Sequence, residues 1–193
     1  MNLPNKLSMI RIFLIPVMIF FYLADFVPFG KVIAIVVFIL AAFTDFLDGK
    51  IARKYNLVTN LGKLLDPIAD KLLVISALLL VVIDQTIPAP YGVIIAIIII
   101  GRELLISAFR QIAATKNVVM AADMFGKIKT FTQDIALPLL FLYSFLARAN
   151  FAVNDTLLLI IQIFSFVAIG LATVFTVLSG INYMVKNKNV LKD

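Results

Sequence analysis

Six apolar runs recur along the chain, each near the roughly 20 residues that cross a hydrocarbon core of about 30 Å as a helix. The runs predict helices over about Met9–Leu23, Lys31–Gly49, Leu64–Ile83, Tyr91–Ile112, Ile128–Leu146 and Thr156–Tyr183. A short interfacial segment, Pro4–Ser8, is expected to lead into the first. Pro28, Gly30, Pro88, Pro90 and Asn150 punctuate the connections. The last run is long enough to project past the membrane. No repeat or composition break divides the chain, so residues 1–193 read as a single all-α transmembrane domain. The polar, basic start and the length of the first apolar run argue against a cleaved signal.

Composition agrees with that pattern. Hydrophobic residues make up 63% of the chain and mean hydropathy is +1.09, against about 45–50% apolar in soluble domains. The net charge of +6 has a topological explanation. With the N-terminus inside, every basic residue except Lys31 and Arg148 falls on the inner side or in an inner helix end. Both termini are then expected on the cytoplasmic side, and a nucleic-acid partner is not needed to explain the charge. The basic inner face favours anionic lipid and phosphate groups.

The chain has neither Cys nor His. Disulfides, Cys/His zinc sites, Ser-His-Asp triads and thiol nucleophiles are excluded. Chemistry must fall to carboxylates, Lys, Arg, Tyr or an oxygen-bound metal. Asp45 and Asp48 end the second run, and Asp66 and Asp70 open the third. Spacings of i,i+3 and i,i+4 put each pair on one helix face. Asp45 lies about 20 Å along its helix, at the inner end. Pro67 is expected in the first turn of the third helix, where its missing N–H costs nothing.

Four clustered carboxylates repel one another and are costly in a membrane. Salt bridges to Lys50, Arg53, Lys63 and Lys71 would offset part of that. Hard divalent cations would do so while also binding a phosphate or diphosphate. Gly49, Ala52 and Gly62 leave room for a ligand beside the carboxylates. Arg53 is either a phosphate ligand or a positive-inside anchor.

These positions form one pattern, D-x-x-D-G-x-x-A-R-x(8)-G-x-x-x-D-x-x-x-D, filled here by Asp45, Asp48, Gly49, Ala52, Arg53, Gly62, Asp66 and Asp70. The pattern resembles the signature of the CDP-alcohol phosphotransferases. The resemblance implies the six-helix fold of that family and two divalent cations, Mg²⁺ or Mn²⁺, held by Asp45, Asp48, Asp66 and Asp70. It also implies a CDP-linked donor bound at Asp48, Gly49, Ala52, Arg53, Gly62 and Asp66, release of CMP, Asp70 as general base, and a homodimer.

Three further stretches are similar to the phosphatidylglycerol-phosphate synthase branch of the family: Pro4–Arg11, Gly101–Arg110 and Gly126–Thr130. That branch implies CDP-diacylglycerol as donor and glycerol 3-phosphate as acceptor. A phosphorylated acceptor needs fixed positive charge, and Arg110 and Lys127 are the first choices for it, with Lys129 and Arg102 behind them. Arg102 and Glu103 form a charged pair after the apolar stretch Val93–Ile100. Such neighbours are expected to point apart and to need separate partners. Tyr22, Tyr143 and Tyr183 read as interface or packing residues. Gly170 and Gly180 are candidates for close helix packing.

Within the family, inositol phosphate or serine is an alternative acceptor, and serine fits a cationic pocket poorly. Intramembrane prenyltransferases also use Asp-rich metal sites, on longer chains. A cation carrier would place its acidic residues near the midplane beside broken helices, whereas these lie at one edge. The compact chain suggests a bacterial inner membrane.

Overall fold

The computed structural model describes the backbone of residues 3–54, 59–115, 124–148 and 153–187, with side chains for 5–44, 59, 62, 65–113, 124–148 and 153–187. These residues form six α-helices and no strand: α1 Leu3–Leu23, α2 Gly30–Lys54, α3 Asn60–Ile83, α4 Tyr91–Thr115, α5 Met124–Ala147 and α6 Asp155–Lys186. Among them α1, α4, α5 and α6 contain stretches long and apolar enough to cross a membrane, and α2 is apolar over Gly30–Thr44, where its described side chains end.

The helices alternate in direction, so the bundle has two ends. One gathers the starts of α1, α3 and α5 and the ends of α2, α4 and α6. The other gathers Leu23, Gly30, Ile83, Tyr91, Ala147 and Asp155. Helix α1 packs on α2 and α3, α5 packs on α6 and touches α2 and α3, and α4 joins α3 to α6. The main core includes Met18 and Tyr22 of α1, Phe38 and Ala41 of α2, Leu73 and Ala77 of α3, Ile99 of α4, Leu137 and Phe141 of α5, and Ile169 of α6. Ile106, Phe109, Ala113 and Tyr183 form a smaller cluster between α4 and α6.

Polarity is inverted relative to a water-soluble bundle. Phe13, Ile97, Phe131 and Phe164 are each about two-thirds exposed, at 66%, 65%, 67% and 65%, while Ser8, Arg11, Lys129, Gln133, Thr176 and Ser179 are buried. Apolar side chains need no shelter from lipid, whereas polar ones must find partners inside.

Two segments differ from expectation. Pro4–Ser8 is not a separate interfacial segment. It begins α1, and the buried Asn5 and Ser8 face α3. Helix α3 starts at Asn60, so Pro67 lies inside it and has no N–H to offer the carbonyl of Lys63. The earlier start follows from Thr59, which caps the helix by accepting from the Gly62 amide at 3.0 Å.

Candidate active site

The start of α3 is anchored to α1. Thr59 donates to Asn5 Oδ1 at 3.0 Å while it caps the helix. Gly62 makes this packing possible, since a Cβ there would stand 2.7 Å from Asn5 Oδ1. The space beside Gly62 therefore accommodates the Asn5 carboxamide. One turn later Ser8 donates to Asp66. Asp70, a further turn along the same face, is partly exposed and lines a cavity of about 780 Å³.

Helix α2 continues unbroken through Asp45, Asp48, Gly49, Ala52 and Arg53. Their side chains lie outside the described residues. Arg11 approaches that stretch, donating to the Ala41 carbonyl at 3.2 Å and to Thr44 Oγ1 at 3.4 Å.

The cavity draws its other walls from α4, α5 and α6. Arg102, Arg110 and Lys127 line it together with Asp70, Lys71, Asp134 and Tyr183. Lys129 does not reach the main cavity. It is 3% exposed, borders a small recess behind it, and pairs with Glu103 at 2.7 Å.

Arg102 and Glu103 do not point apart. Their side chains meet at 3.1 Å, and Arg102 also donates to Ser179 on α6. The long Arg side chain can double back on its neighbour, so Glu103 gathers two cations, Arg102 of the cavity wall and Lys129 of the recess behind it. Gly126 and Gly180 leave space around Arg102: added Cβ atoms would stand 3.3 Å from its Nη2 and 3.4 Å from its Cγ. Gly170, also a packing candidate, has nothing within 4 Å.

Arg110 donates to the Tyr183 hydroxyl at 3.2 Å and sits 5.7 Å from the ring centre. Tyr183 is 2% exposed and packs with Ile106, Phe109 and Ala113, the packing role expected of it, while it also borders the cavity. Among the described residues no ion pair joins Arg110 or Lys127 to a carboxylate. Lys71 donates to Ser107 on α4, which in turn donates to the Glu103 carbonyl at 2.7 Å. The combination is a base-capable carboxylate facing cations with charge to spare, which suits an anionic substrate that must lose a hydroxyl proton.

Sequence reasoning singled out Asp70, Arg102, Arg110 and Lys127, which the fold brings to one cavity. It did not place Tyr183, Ser107 and Asp134 at the cavity, or Gln133 at the recess beside it. The available signal for Gln133 and Asp134 was their position one helical turn beyond Lys129 and Thr130. For Tyr183 there was none, because a tyrosine near a helix end reads equally as an interface anchor.

Similarity to known proteins accords with this geometry. The sequence pattern of the CDP-alcohol phosphatidyltransferase family matches residues 1–178. A Bacillus subtilis protein named CDP-diacylglycerol–glycerol-3-phosphate 3-phosphatidyltransferase is 40% identical, covering 99% of this chain and 97% of its own. Proteins of the same name from Rickettsia bellii and Haemophilus influenzae are 36% and 35% identical, covering 94% and 100% of this chain and 93% and 96% of theirs.

Proposed function

The chain belongs to the CDP-alcohol phosphatidyltransferase family, and we propose on that premise that it transfers the phosphatidyl group of CDP-diacylglycerol to sn-glycerol 3-phosphate. The products are phosphatidylglycerol phosphate and CMP. One observation carries the acceptor assignment: a single cavity unites Asp70 with Arg110 and Lys127, contributed by three different helices.

In this reading the acceptor phosphate binds Arg110 and Lys127, with Arg102 beside them. Tyr183 holds Arg110 in place, and Glu103 holds Arg102 and Lys129. The phosphate is thereby fixed and the acceptor hydroxyl turned toward Asp70. Asp70 takes that proton as the hydroxyl oxygen bonds to the lipid-bearing phosphorus. The bond from that phosphorus to the CMP oxygen breaks, and CMP leaves with the electron pair. Asp48, Gly49, Ala52, Arg53 and Asp66 are proposed to hold the CDP moiety, with Gly62 acting indirectly by seating Asn5 beside them.

The donor set fits divalent cations. Asp66 and Asp70 lie a turn apart on one face of α3, α2 remains helical through Asp45 and Asp48, and all four offer oxygen alone, as Mg²⁺ or Mn²⁺ prefers. Two such ions, when bound, supply neutralisation of the diphosphate and of the charge that develops on transfer. Ser8 orients Asp66 for that task by its hydrogen bond.

All six helices are proposed to span the membrane, with both termini and the cavity on the cytoplasmic side of a bacterial inner membrane, in a homodimer. The basic residues at the cavity end support the orientation.

Detergent-purified protein should release CMP from CDP-diacylglycerol with glycerol 3-phosphate and stop in EDTA. Release with inositol phosphate or serine instead would keep the aspartate site and discard the acceptor assignment. No release with any acceptor, from folded protein supplied with metal, would reject the enzyme reading.

A further inference from the structure

Gln133 is an anomaly beside the cavity. Its side chain is on α5, 1% exposed, and neither amide oxygen nor amide nitrogen has a hydrogen-bond partner. A buried amide without partners is costly, and native folds rarely tolerate one without a reason. Gln133 borders a recess of about 20 Å³ that shares Asp70, Lys71, Glu103, Thr130 and Asp134 with the main cavity. The recess is therefore a side chamber of the site.

Its size and chemistry narrow the occupant. A space of this volume admits one water-sized group and is too small for a phosphate. The two lysines at its edge are already engaged, Lys71 with Ser107 and Lys129 with Glu103. What remains unmatched is an amide with one donor side and one acceptor side. A hydroxyl answers both, since it donates and accepts through a single oxygen.

We propose that Gln133 is a specificity-determining residue that binds a non-reacting hydroxyl of the acceptor, on the carbon next to the one whose hydroxyl meets Asp70. The inference rests on the acceptor reading given above. Asp70 belongs to both the cavity and the recess, so a vicinal diol whose reacting oxygen sits on Asp70 carries its neighbouring oxygen to the recess. The phosphate then extends toward Arg110 and Lys127. An acceptor without that second hydroxyl leaves the amide unmatched and is disfavoured.

The test compares glycerol 3-phosphate with 3-hydroxypropyl phosphate, which lacks the secondary hydroxyl, in wild type, Gln133→Leu and Gln133→Asn. Wild type should prefer glycerol 3-phosphate by about 100-fold in kcat/KM, the scale of leaving one buried polar group unmatched. Gln133→Leu should lose most of that preference, falling steeply with glycerol 3-phosphate and by less than about threefold with the analogue. Gln133→Asn should fall between the two. Equal losses with both acceptors would overturn the proposal and assign the recess to a resident water. An unchanged preference in a folded Leu variant would overturn it as well. If the Leu variant does not fold, a wild-type preference in the Asn variant does the same. Wild-type release of CMP with some other acceptor, and none with glycerol 3-phosphate, would instead reject the parent reading, and this inference with it.

Discussion

The two ends of the bundle handle charge in opposite ways. At the end away from the aspartate motif, Asp84 caps α3 and is saturated. It accepts from Lys31 at 2.8 Å, Tyr22 at 3.0 Å and Thr86 at 3.2 Å, and also from Ser144 and Arg148. Those donors tie α1, α2 and α5 to the end of α3. At the cavity end, Arg110 and Lys127 face a cavity with no carboxylate paired to them among the described residues, and Gln133 is left with both amide groups unmatched. A closed network holds helices together. An open one is held ready for something that is not part of the chain.

The contrast is sharpest under substitution. Asp70→Asn should lower CMP release by about 10³–10⁴-fold, near the upper range for loss of a general base, with the melting temperature little changed. Full activity would remove Asp70 from the base role. Asp84→Ala should do the reverse. It strands Lys31, whose side chain is only 13% exposed, and breaking such a pair costs about 3–5 kcal/mol. The loss would appear in thermal unfolding in detergent, while the folded fraction keeps its kcat/KM. A large fall in kcat/KM of the folded fraction would mean that the two ends are coupled.

Arg110→Ala should raise KM for the acceptor by about 10–30-fold, the scale of one charge-assisted contact, with a smaller change in kcat. Acceptor dependence left unaltered would separate Arg110 from the phosphate.

The smallest expected effect is one of pH. Burial pushes the Asp84 carboxyl up, but hydrogen bonds from Lys31 and Ser144 and the Lys31 charge outweigh it and hold its pKa below the ordinary value. A lowered folded-state value means that the network's contribution is present above about pH 4 and is lost as pH falls through the folded value. The stability gap between wild type and Asp84→Asn should therefore be constant from neutral pH to about pH 5 and close below pH 4. A gap that persists in acid would show that Asp84 acts through packing rather than charge.

Much of this was legible in the chain because lipid-facing helices are written in long apolar runs. The ends of the helices fall within a few residues of the runs, apart from the starts of α1, α3 and α5 and the end of α2, where residues outside the apolar runs continue the helix. Asn5 and Ser8 look like a polar leader in sequence, and only the neighbouring α3 explains why they are helical and buried. Arg102 and Arg110 stood out because charge in an apolar run is conspicuous, and Lys127 through the resemblance carried by Gly126–Thr130. Tyr183, Ser107 and Gln133 did not. An uncharged polar residue in a membrane helix gains its meaning from a partner on another helix, or from the lack of one, and periodicity carries no information about either.

The pairing of Arg102 with Glu103 bears on how the chain enters its membrane. Helices are delivered roughly in order of synthesis, so α4 arrives before Lys129 and Ser179 exist to meet it. An unaccompanied Arg or Glu would cost about 2.5–3.5 kcal/mol at the middle of a helix. Because the two side chains meet at 3.1 Å within α4, they form a pair without net charge on a single helix. Lys129 of α5 and Ser179 of α6 complete the contacts of that pair.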